Sequence, residues 1–310
     1  MGCDAFSRLM RSASNRVRRA RPSLGTFVEI TARGEDEAKL HGAIDRAFNA
    51  IARVDRQMSF HQSASDVSRI NREAFQRKVS VDPWTWRVLR AAQKLSRESN
   101  GIFDITVARK LMQWKYLPRR YRNVSEGNWR DIVLEKNSTV RFRQRVIVDL
   151  GGIAKGFAVD RAVKALKCAG VRSGVVNAGG DLRVFGLKSE LVHLRRPAEP
   201  MRPAGAIKLC ERALATSGIY FAQKRCAGAM VNSLLDGRSC RSSRKLISVS
   251  VAASACMIAD ALTKIAFVLG EKSVPLLAQY HADALLLECD GAPLWMFRSP
   301  CDTRDQSRFD

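Results

Sequence analysis

The sequence predicts an α+β fold with antiparallel sheets and helices packed on one side. The first observation is that pairs of strand-type segments alternate with helical segments in both halves of the chain. The second is the run VIVDLGGIAKGFAVD at 146–160, where an apolar strand-type segment passes through a glycine pair into a helical pattern. The third is NAGGD at 177–181, a second glycine-rich turn between strand-type runs. Such turns can present backbone groups to a phosphate or metal ion, although each alone is more often plain turn chemistry.

The net charge of +23, from 53 Lys and Arg against 30 Asp and Glu, raises the question of a nucleic-acid partner. The basic residues, however, are scattered over probable loops, at 1–22, 119–122 and 238–245. The chain has no zinc-finger spacing, no basic heptad region and no aromatic RNA-binding signature. The sequence therefore predicts attraction to anionic ligands or acidic partners and no nucleic-acid binding. Its 310 residues suffice for one large domain or two joined halves.

The cysteines and the N-terminus bear on location. None of the eight cysteines forms a C-x-x-C pair, and cysteines dispersed in this way are typical of reduced thiols in a cytoplasmic protein. Residues 1–22 lack the apolar segment of a signal peptide. The most apolar stretch, 249–270, contains Asp260 and Lys264 and is a poor membrane span. These features predict a cytoplasmic protein with no membrane insertion.

The first half of the chain divides into an arm and a series of elements. Residues 1–20 are predicted to be a flexible basic arm, before one folded domain at 21–300 and a polar tail at 301–310. Alternation, helical spacing and capping residues predict a strand at 24–30, helices at 35–58 and from Asp82-Pro83 through Leu95, a short apolar element at 101–107, a polar loop at 123–137, and a strand at 146–149.

The second half repeats strand and helix signals without a repeat at the sequence level. The patterns predict a helix at 160–169, a strand pair at 174–185, strands at 191–194 and 206–213, a tight turn at 214–218, a strand at 247–251, a helix at 254–269, and strands at 284–287 and 294–297.

Seven short motifs occur in one order along the chain. They are Gly25-Thr26, MSFHQSASDVSRIN from Met58, GIFDITV from Gly101, VDLGGIAKGFAVD from Val148, NAGGDLRVFG from Asn177, ATSGIYF from Ala215, and SVSVAASACMIADALTKIAFVLG from Ser248. In this order they resemble the FAD:protein FMN transferase family, also called the ApbE family. The resemblance runs from Leu24 to about Arg298. It implies two fused T-fold-like halves, and an activity that splits FAD and attaches FMN through a phosphoester to Thr or Ser of a partner flavoprotein.

The resemblance also implies a metal ion. Cleaving the pyrophosphate of FAD calls for a divalent cation, and hard oxygen ligands suit Mg²⁺. The family pattern assigns the ligands to the Gly152 carbonyl, Asp260 and Thr263. The residues alone favour an ordinary helix-face carboxylate at Asp260 and a packing residue at Thr263, and only the ordered motifs favour metal binding.

The flavin-binding positions of the family carry over to a further set of residues. They are Leu24, His61, Ile102, Phe103, Asp104, Asp149, Lys155, Asn177 and Asp181. Other interpretations remain open at this stage. Phe103 could pack in the core, and His61 could be a hydrogen-bonded surface histidine. Asp149 and Lys155 could form a simple ion pair near a turn, and Asp181 could merely cap its turn.

Two positions depart from the family pattern and bear on catalysis at Asp260. Ser233 stands where the family has a histidine, and a serine cannot supply the proton transfer of an imidazole near neutral pH. Lys264 stands where the family has a threonine, so its ammonium could sit beside the phosphates or repel a cation. The sequence therefore leaves two functions open: a Mg²⁺-dependent flavin transferase, or a catalytically weakened FAD-binding carrier or accessory protein.

Overall fold

The computed structural model describes residues 15–197, 199, 201–219, 223–226, 228–242, 248–288, 293–298 and 308–309. In chain order its helices and strands are β1 (Asn15–Ser23), β2 (Thr26–Gly34), α1 (Glu37–Met58), α2 (Asp66–Glu73), β3 (Val79–Ser80), α3 (Pro83–Glu98), α4 (Ala108–Gln113), β4 (Ile132–Glu135), β5 (Thr139–Phe142), α5 (Ala154–Cys168), β6 (Ser173–Ala178), β7 (Asp181–Phe185), β8 (Glu190–Arg195), β9 (Pro203–Leu209), β10 (Ala213–Gly218), β11 (Lys224–Cys226), β12 (Ala229–Val231), β13 (Leu235–Asp236), β14 (Arg241–Ser242), β15 (Ser248–Ala253), α6 (Cys256–Leu269), α7 (Val274–Gln279), β16 (Asp283–Leu287), β17 (Pro293–Phe297) and β18 (Arg308–Phe309). Short 3₁₀ helices span Ile105–Val107, Trp129–Asp131 and Gly270–Ser273.

One eight-stranded antiparallel sheet organises the molecule, in the order β1-β2-β6-β7-β10-β15-β16-β17. Its first four strands flank α1 and α5 in the chain, and its last four flank α6 and α7. Each half therefore reads strand, strand, helices, strand, strand, and the halves join edge to edge through β7 and β10. This arrangement confirms the predicted α+β class with antiparallel strands.

The helices cover one face of the sheet, because α1 packs on α5, α5 on α6, and α6 on β10 and β15. The other face carries β8 and β9, whose apolar residues meet the sheet in a second, smaller core. Strand β16 is buried on both faces: Ala284 and Leu286 lie in the helix-side core, and Leu285 and Leu287 lie in the β8–β9 core. No helix in the described part of the chain is long and apolar enough to span a membrane.

Local capping explains where the two long N-terminal helices begin. Asp36 accepts the Lys39 backbone N–H at 3.0 Å before α1, and Asp82 accepts the Trp84 N–H at 2.8 Å before α3. Proline occupies the first position of α3, where its missing N–H has no intrahelical partner to lose. The sequence predicted both helices with nearly these bounds.

The predicted arm at 1–20 is wrong for residues 15–20, which belong to β1, while residues 1–14 lie outside the described residues. Strand β1 pairs with β2 from Asn15↔Gly34 to Ser23↔Thr26. Leu24 and Gly25 form a two-residue turn with φ of 55° and 71°, the left-handed conformation that matches strand twist in hairpins. Three arginines of β1 form ion pairs: Arg18 pairs with Glu29, and Arg19 and Arg21 pair with Asp45.

Two segments have a different secondary structure from the one predicted, because their polar groups form hydrogen bonds with residues far away in the chain. Residues 146–149 form no strand, although 146–148 are buried: the Asn71 side chain accepts the Val148 N–H at 2.8 Å and donates to its carbonyl at 2.9 Å. Residues 214–218, predicted as a tight turn, lie in β10. Their hydroxyls are satisfied there, since Thr216 Oγ1 lies 2.8 Å from Ser250 Oγ on the paired strand.

Smaller corrections concern loops. The predicted loop at 123–137 contains a 3₁₀ turn and β4, and the predicted strand at 206–213 divides between β9 and β10. In the predicted tail at 301–310, residues 308–309 form β18 against β9, and the other residues lie outside the described part.

Candidate functional site

A cavity of about 260 Å³ lies beside the first hairpin turn. Four of the predicted flavin-binding residues line it: Leu24, His61, Asp149 and Lys155. The remaining lining residues come from the hairpin turn, α1 and the loop after it, the segment after α4, and the turn that leads into α5. They are Gly25, Val54, Asp55, Met58, Ser59, Phe60, Leu117, Gly151 and Ala154. The lining therefore combines apolar and aromatic side chains with two carboxylates, Asp55 and Asp149, and the ammonium group of Lys155. We call this space the Leu24 cavity.

Lys155 connects the Leu24 cavity to a cluster of four charged side chains. Its Nζ lies 2.5 Å from Asp181 Oδ2, and the Asp181 carboxylate is 1% exposed. On α6, the Lys264 ammonium pairs with the fully buried carboxylate of Asp260. The Asp260 charge acts on both Lys155 and Asp181, so the two ion pairs form one electrostatic unit. We call Lys155, Asp181, Asp260 and Lys264 the charged cluster.

The cluster sets the protonation of its members. Burial works to raise the pKa of Asp260, but the charges of Lys264 and Lys155 and the Gly156 N–H together hold it below the ordinary value. Burial works to lower the pKa of Lys155, but the carboxylates of Asp181 and Asp260 raise it. Asp260 is therefore an anion and Lys155 a cation near neutral pH.

The backbone fixes Asp260 as firmly as its charge partners do. Its Oδ2 accepts the Gly156 N–H at 3.1 Å, in the first turn of α5, where amide groups lack intrahelical partners. In return, Asp160 on α5 accepts the N–H groups of Cys256 and Met257, at 3.0 and 2.9 Å, and so caps α6. The two helices that carry the cluster thus cap each other.

The predicted metal ligands do not form a free oxygen cage. The Lys264 ammonium bonds to the Asp260 carboxylate and, at 2.9 Å, to the Asp260 carbonyl. Thr263 Oγ1 donates to that same carbonyl at 2.6 Å and lies 2.7 Å from Ser217 Oγ, which ties α6 to β10. A Cβ on Gly152 would lie 3.6 Å from Lys264 Cε, so the lysine also fills the space beside the third predicted ligand.

Mg²⁺ needs about six oxygens at ~2.1 Å in near-octahedral geometry. Every oxygen of Asp260 already accepts a hydrogen bond, and an ammonium occupies the approach. Across the described residues, no group of three or more His, Cys, Asp or Glu could hold a metal ion. The residues as arranged do not fit a divalent cation at Asp260, and the Mg²⁺ predicted from the resemblance stays a prediction.

The remaining predicted residues separate into two groups. Phe103 packs in the main core, as its alternative interpretation held, and its Cε2 would also lie 3.6 Å from a Cβ on Gly152. Asn177 shapes the turn before Asp181 by accepting the Gly180 N–H at 2.9 Å.

The second group does not line the Leu24 cavity. Ile102 is buried in the main core. Asp104 lines a separate cavity of about 550 Å³, where it accepts the N–H groups of Thr106 and Trp129 at 2.8 and 3.0 Å. Ser233 is half-buried in the loop between β12 and β13, and β13 packs against α6.

The structure decides between the interpretations that the sequence left open. Lys155 pairs with Asp181 and not with Asp149. Asp149 faces the Leu24 cavity, where burial raises the pKa of its carboxyl group against the N–H groups of Gly151 and Leu150. Asp181 is therefore more than a turn cap, and Asp149 is a cavity-lining acid with a pKa above its ordinary range.

Sequence reasoning missed Gly156, Asp160 and Ser217. The only available signal was their place within the quoted motifs, since their partners lie 46 to 104 residues away in the chain. Long-range capping of this kind leaves no local pattern.

Comparison with known proteins places this geometry in context. The sequence profile described as the ApbE family matches residues 24–286. An FAD:protein FMN transferase of Vibrio cholerae serotype O1 is 28% identical over 272 residues, covering 81% of this chain and 80% of that protein. One of Rhodobacter capsulatus is 28% identical over 274 residues, covering 82% of this chain and 51% of that longer protein. The crystal structure of the ApbE protein from Thermotoga maritima superposes with a TM-score of 0.80 at 26% identity, over 92% of this chain and 97% of that one.

Proposed function

The chain belongs to the ApbE family, and from this premise we infer that it is an FAD:protein FMN transferase. One observation carries the assignment to this site. The Leu24 cavity is lined by apolar and aromatic side chains together with Lys155, and the Lys155 ammonium pairs with Asp181 of the charged cluster. A flavin ring and a pyrophosphate require these two environments side by side. FAD is the substrate that joins them.

In the proposed reaction the hydroxyl oxygen of an acceptor Thr or Ser attacks the phosphorus atom on the FMN side of the pyrophosphate. The bond from that phosphorus to the bridging oxygen breaks, and AMP leaves with the bridging oxygen and its electron pair. The hydroxyl proton passes to solvent. FMN then remains attached to the acceptor through a phosphoester.

The residues of the chain have separable parts in this proposal. Leu24 and His61 would contact the flavin ring, and Asp149 would bond to its polar edge. Lys155 and Lys264 would face the phosphates, since each is a charged donor at the border of the cluster. Asp181 and Asp260 would orient the two ammonium groups. No step is assigned to a metal ion, because Lys264 already occupies Asp260.

We also propose that the acceptor is a partner flavoprotein and that the chain works in the cytoplasm. The name shared by the relatives, FAD:protein FMN transferase, supports a protein acceptor, and its Thr or Ser hydroxyl is part of our proposal. Five free cysteines in the described part of the chain support a reducing compartment. These residues are Cys168, Cys210, Cys226, Cys240 and Cys256.

The function is tested by incubating the protein with FAD and a candidate acceptor, and measuring the acceptor's intact mass for one added FMN. Lys155→Met is expected to lower the transfer rate by at least ~10²-fold, because it removes a charge held beside the phosphates. Lys164→Met is the matched control, since Lys164 is an exposed lysine on the same helix and should have little effect. An acceptor that gains no mass while AMP is also not released would contradict the proposal.

The second candidate function is an FAD-binding carrier with weakened catalysis, and Ser233 is the observation that favours it. Ser233→His is expected to raise the rate of AMP release by ~10²-fold, because an imidazole can transfer a proton near neutral pH. Ser239→His, at an exposed position after β13, serves as the control. If Ser233→His leaves a robust rate unchanged, this site does not depend on an imidazole there, and the carrier hypothesis loses its support.

A further inference from the structure

The Lys264 ammonium group is placed where it can bind a negatively charged ligand. Asp260 and Lys264 are four residues apart on α6, a spacing that usually produces a solvent-exposed pair of small energy. Here the Asp260 carboxylate is fully buried and the Lys264 side chain is 19% exposed. A buried pair costs desolvation and is weak evidence for a stabilising role. The Lys264 side chain lies beside Gly152, and the Asp260 charge acts on Lys155, which lines the Leu24 cavity, so the geometry favours a role in ligand binding.

Each of the two lysine ammonium groups keeps at least one N–H donor for a ligand. An ammonium group has three N–H donors. Lys264 directs two of them at the carbonyl and carboxylate of Asp260, and Lys155 directs one at Asp181. Within the described contacts, this leaves one N–H on Lys264 and two on Lys155 for phosphate oxygens.

We propose that Lys264 is a tethered cation that takes the place of a divalent metal ion at Asp260, so that FAD binds this chain through two lysines without a bridging metal. This inference rests on the proposed function, because it describes the pyrophosphate subsite of that reaction. It follows from the arrangement of Asp260, since a metal ion could reach the carboxylate only by displacing an ammonium held at two points. The tether also makes the charge permanent, whereas a bound ion depends on its concentration.

FAD binding and metal binding can be measured separately. The unaltered protein is expected to bind FAD with the same affinity in EDTA and in millimolar Mg²⁺, measured by quenching of flavin fluorescence. It is also expected to bind no Mn²⁺ at Asp260 in the absence of FAD, measured by the electron paramagnetic resonance of free Mn²⁺. Both measurements use the full, unaltered chain.

Lys264→Thr should reverse both results, because it frees the Asp260 carboxylate and adds a hydroxyl. In EDTA its affinity for FAD is expected to fall by at least about tenfold, the effect of losing one close charge contact. Mg²⁺ should restore that affinity, and the variant should bind Mn²⁺. Lys264→Gln keeps a donor without the charge and provides a second variant if Lys264→Thr folds poorly. Lys164→Thr is the control, as an exposed lysine on α5.

The outcomes distinguish this inference from the proposed function. An unaltered protein that binds FAD only with Mg²⁺, or that binds Mn²⁺ as tightly as Lys264→Thr, overturns the tethered cation and leaves the transferase function standing. An unaltered protein that binds FAD under neither condition contradicts the proposed function instead. The Mn²⁺ measurement still decides the role of Lys264 in that case, because it requires no FAD.

Discussion

Gly156→Ala is expected to lower the free energy of unfolding by about 3 kcal/mol and to abolish FAD binding, because α5 and α6 touch at this glycine. A Cβ at position 156 would lie 2.3 Å from the carbonyl oxygen of Cys256 and 2.8 Å from Met257 Cα. These are backbone atoms, which no rotamer change can move away. Helix propensity would favour alanine by only ~1 kcal/mol, so the steric term decides the sign.

The loss of binding follows from what the two helices carry. Lys155 lies on α5, and Asp260 and Lys264 lie on α6, so any separation of the helices opens the charged cluster. Unfolding in denaturant and fluorescence titration with FAD measure the two effects.

Gly42→Ala on α1 is the matched control. The nearest atom to a Cβ there would be Arg46 Nη1 at 3.8 Å, so the helix propensity of alanine should stabilise the protein by up to ~1 kcal/mol. Gly156→Ala with an unchanged unfolding midpoint would show that α5 and α6 can separate at little energetic cost.

Gly156 meets the backbone of another helix, whereas Gly42 meets a residue of its own helix, and only the second kind of contact can be predicted from the sequence. Sequence signals were sufficient where the interacting residues are close together in the chain. Asp36 and Asp82 mark the starts of α1 and α3, and the spacing of buried residues on α1 shows which face packs. The strand pair around Gly179 and Gly180 was also predicted, because glycine pairs with positive φ commonly close such hairpins.

Local signals failed where a distant residue satisfies the backbone or a hydroxyl. The apolar run before Asp149 has the composition of a strand, but the side chain of Asn71, 77 residues away, forms hydrogen bonds with the Val148 backbone in place of a neighbouring strand. Thr216 and Ser217 suggested a turn, but they lie in β10. Their hydroxyls form hydrogen bonds with Ser250 on the paired strand and with Thr263 on α6. No property of either segment taken alone distinguishes these cases.

The candidate site shows the same division. The motifs predicted Lys155, Asp181, Asp260 and Lys264 as functional residues, and the structure brings all four together. Their pairing could not be predicted, since Asp149 is closer to Lys155 in the chain than Asp181 is. Asp104 was assigned to the flavin by the same motifs, but its carboxylate is committed to the N–H groups of Thr106 and Trp129.

Asp260→Ala is expected to lower the free energy of unfolding by about 3–5 kcal/mol and to abolish FMN transfer. The substitution leaves the Lys264 ammonium partly buried without its carboxylate and the Gly156 N–H without an acceptor. Asp260→Asn keeps an acceptor for Gly156 and should cost less stability, but it removes the charge that orients both lysines. Both variants should therefore lose transfer, and only the alanine variant should be severely destabilised.

Asp45→Asn provides the control, because Asp45 is an exposed carboxylate on α1 that pairs with Arg19 and Arg21. Its loss should cost less than ~1 kcal/mol, the usual range for surface ion pairs. Unfolding of Asp260→Ala at the denaturant concentration of the unaltered protein would remove Asp260 from the list of stabilising charges.

The pH dependence of the free energy of unfolding distinguishes the contribution of the Asp260 charge from that of the shape of its side chain. Lys264 and Lys155, against the effect of burial, hold the folded-state pKa of Asp260 below its ordinary value of 3.8. The ionised carboxylate therefore contributes its full stability above that value, and the contribution is lost as the pH falls through the folded-state pKa. The gap in free energy of unfolding between the unaltered protein and Asp260→Asn should be constant near neutral pH and should narrow below about pH 4. A gap that stays the same down to acid pH would mean that the amide fails through shape, and that the charge of Asp260 does not hold the two helices together.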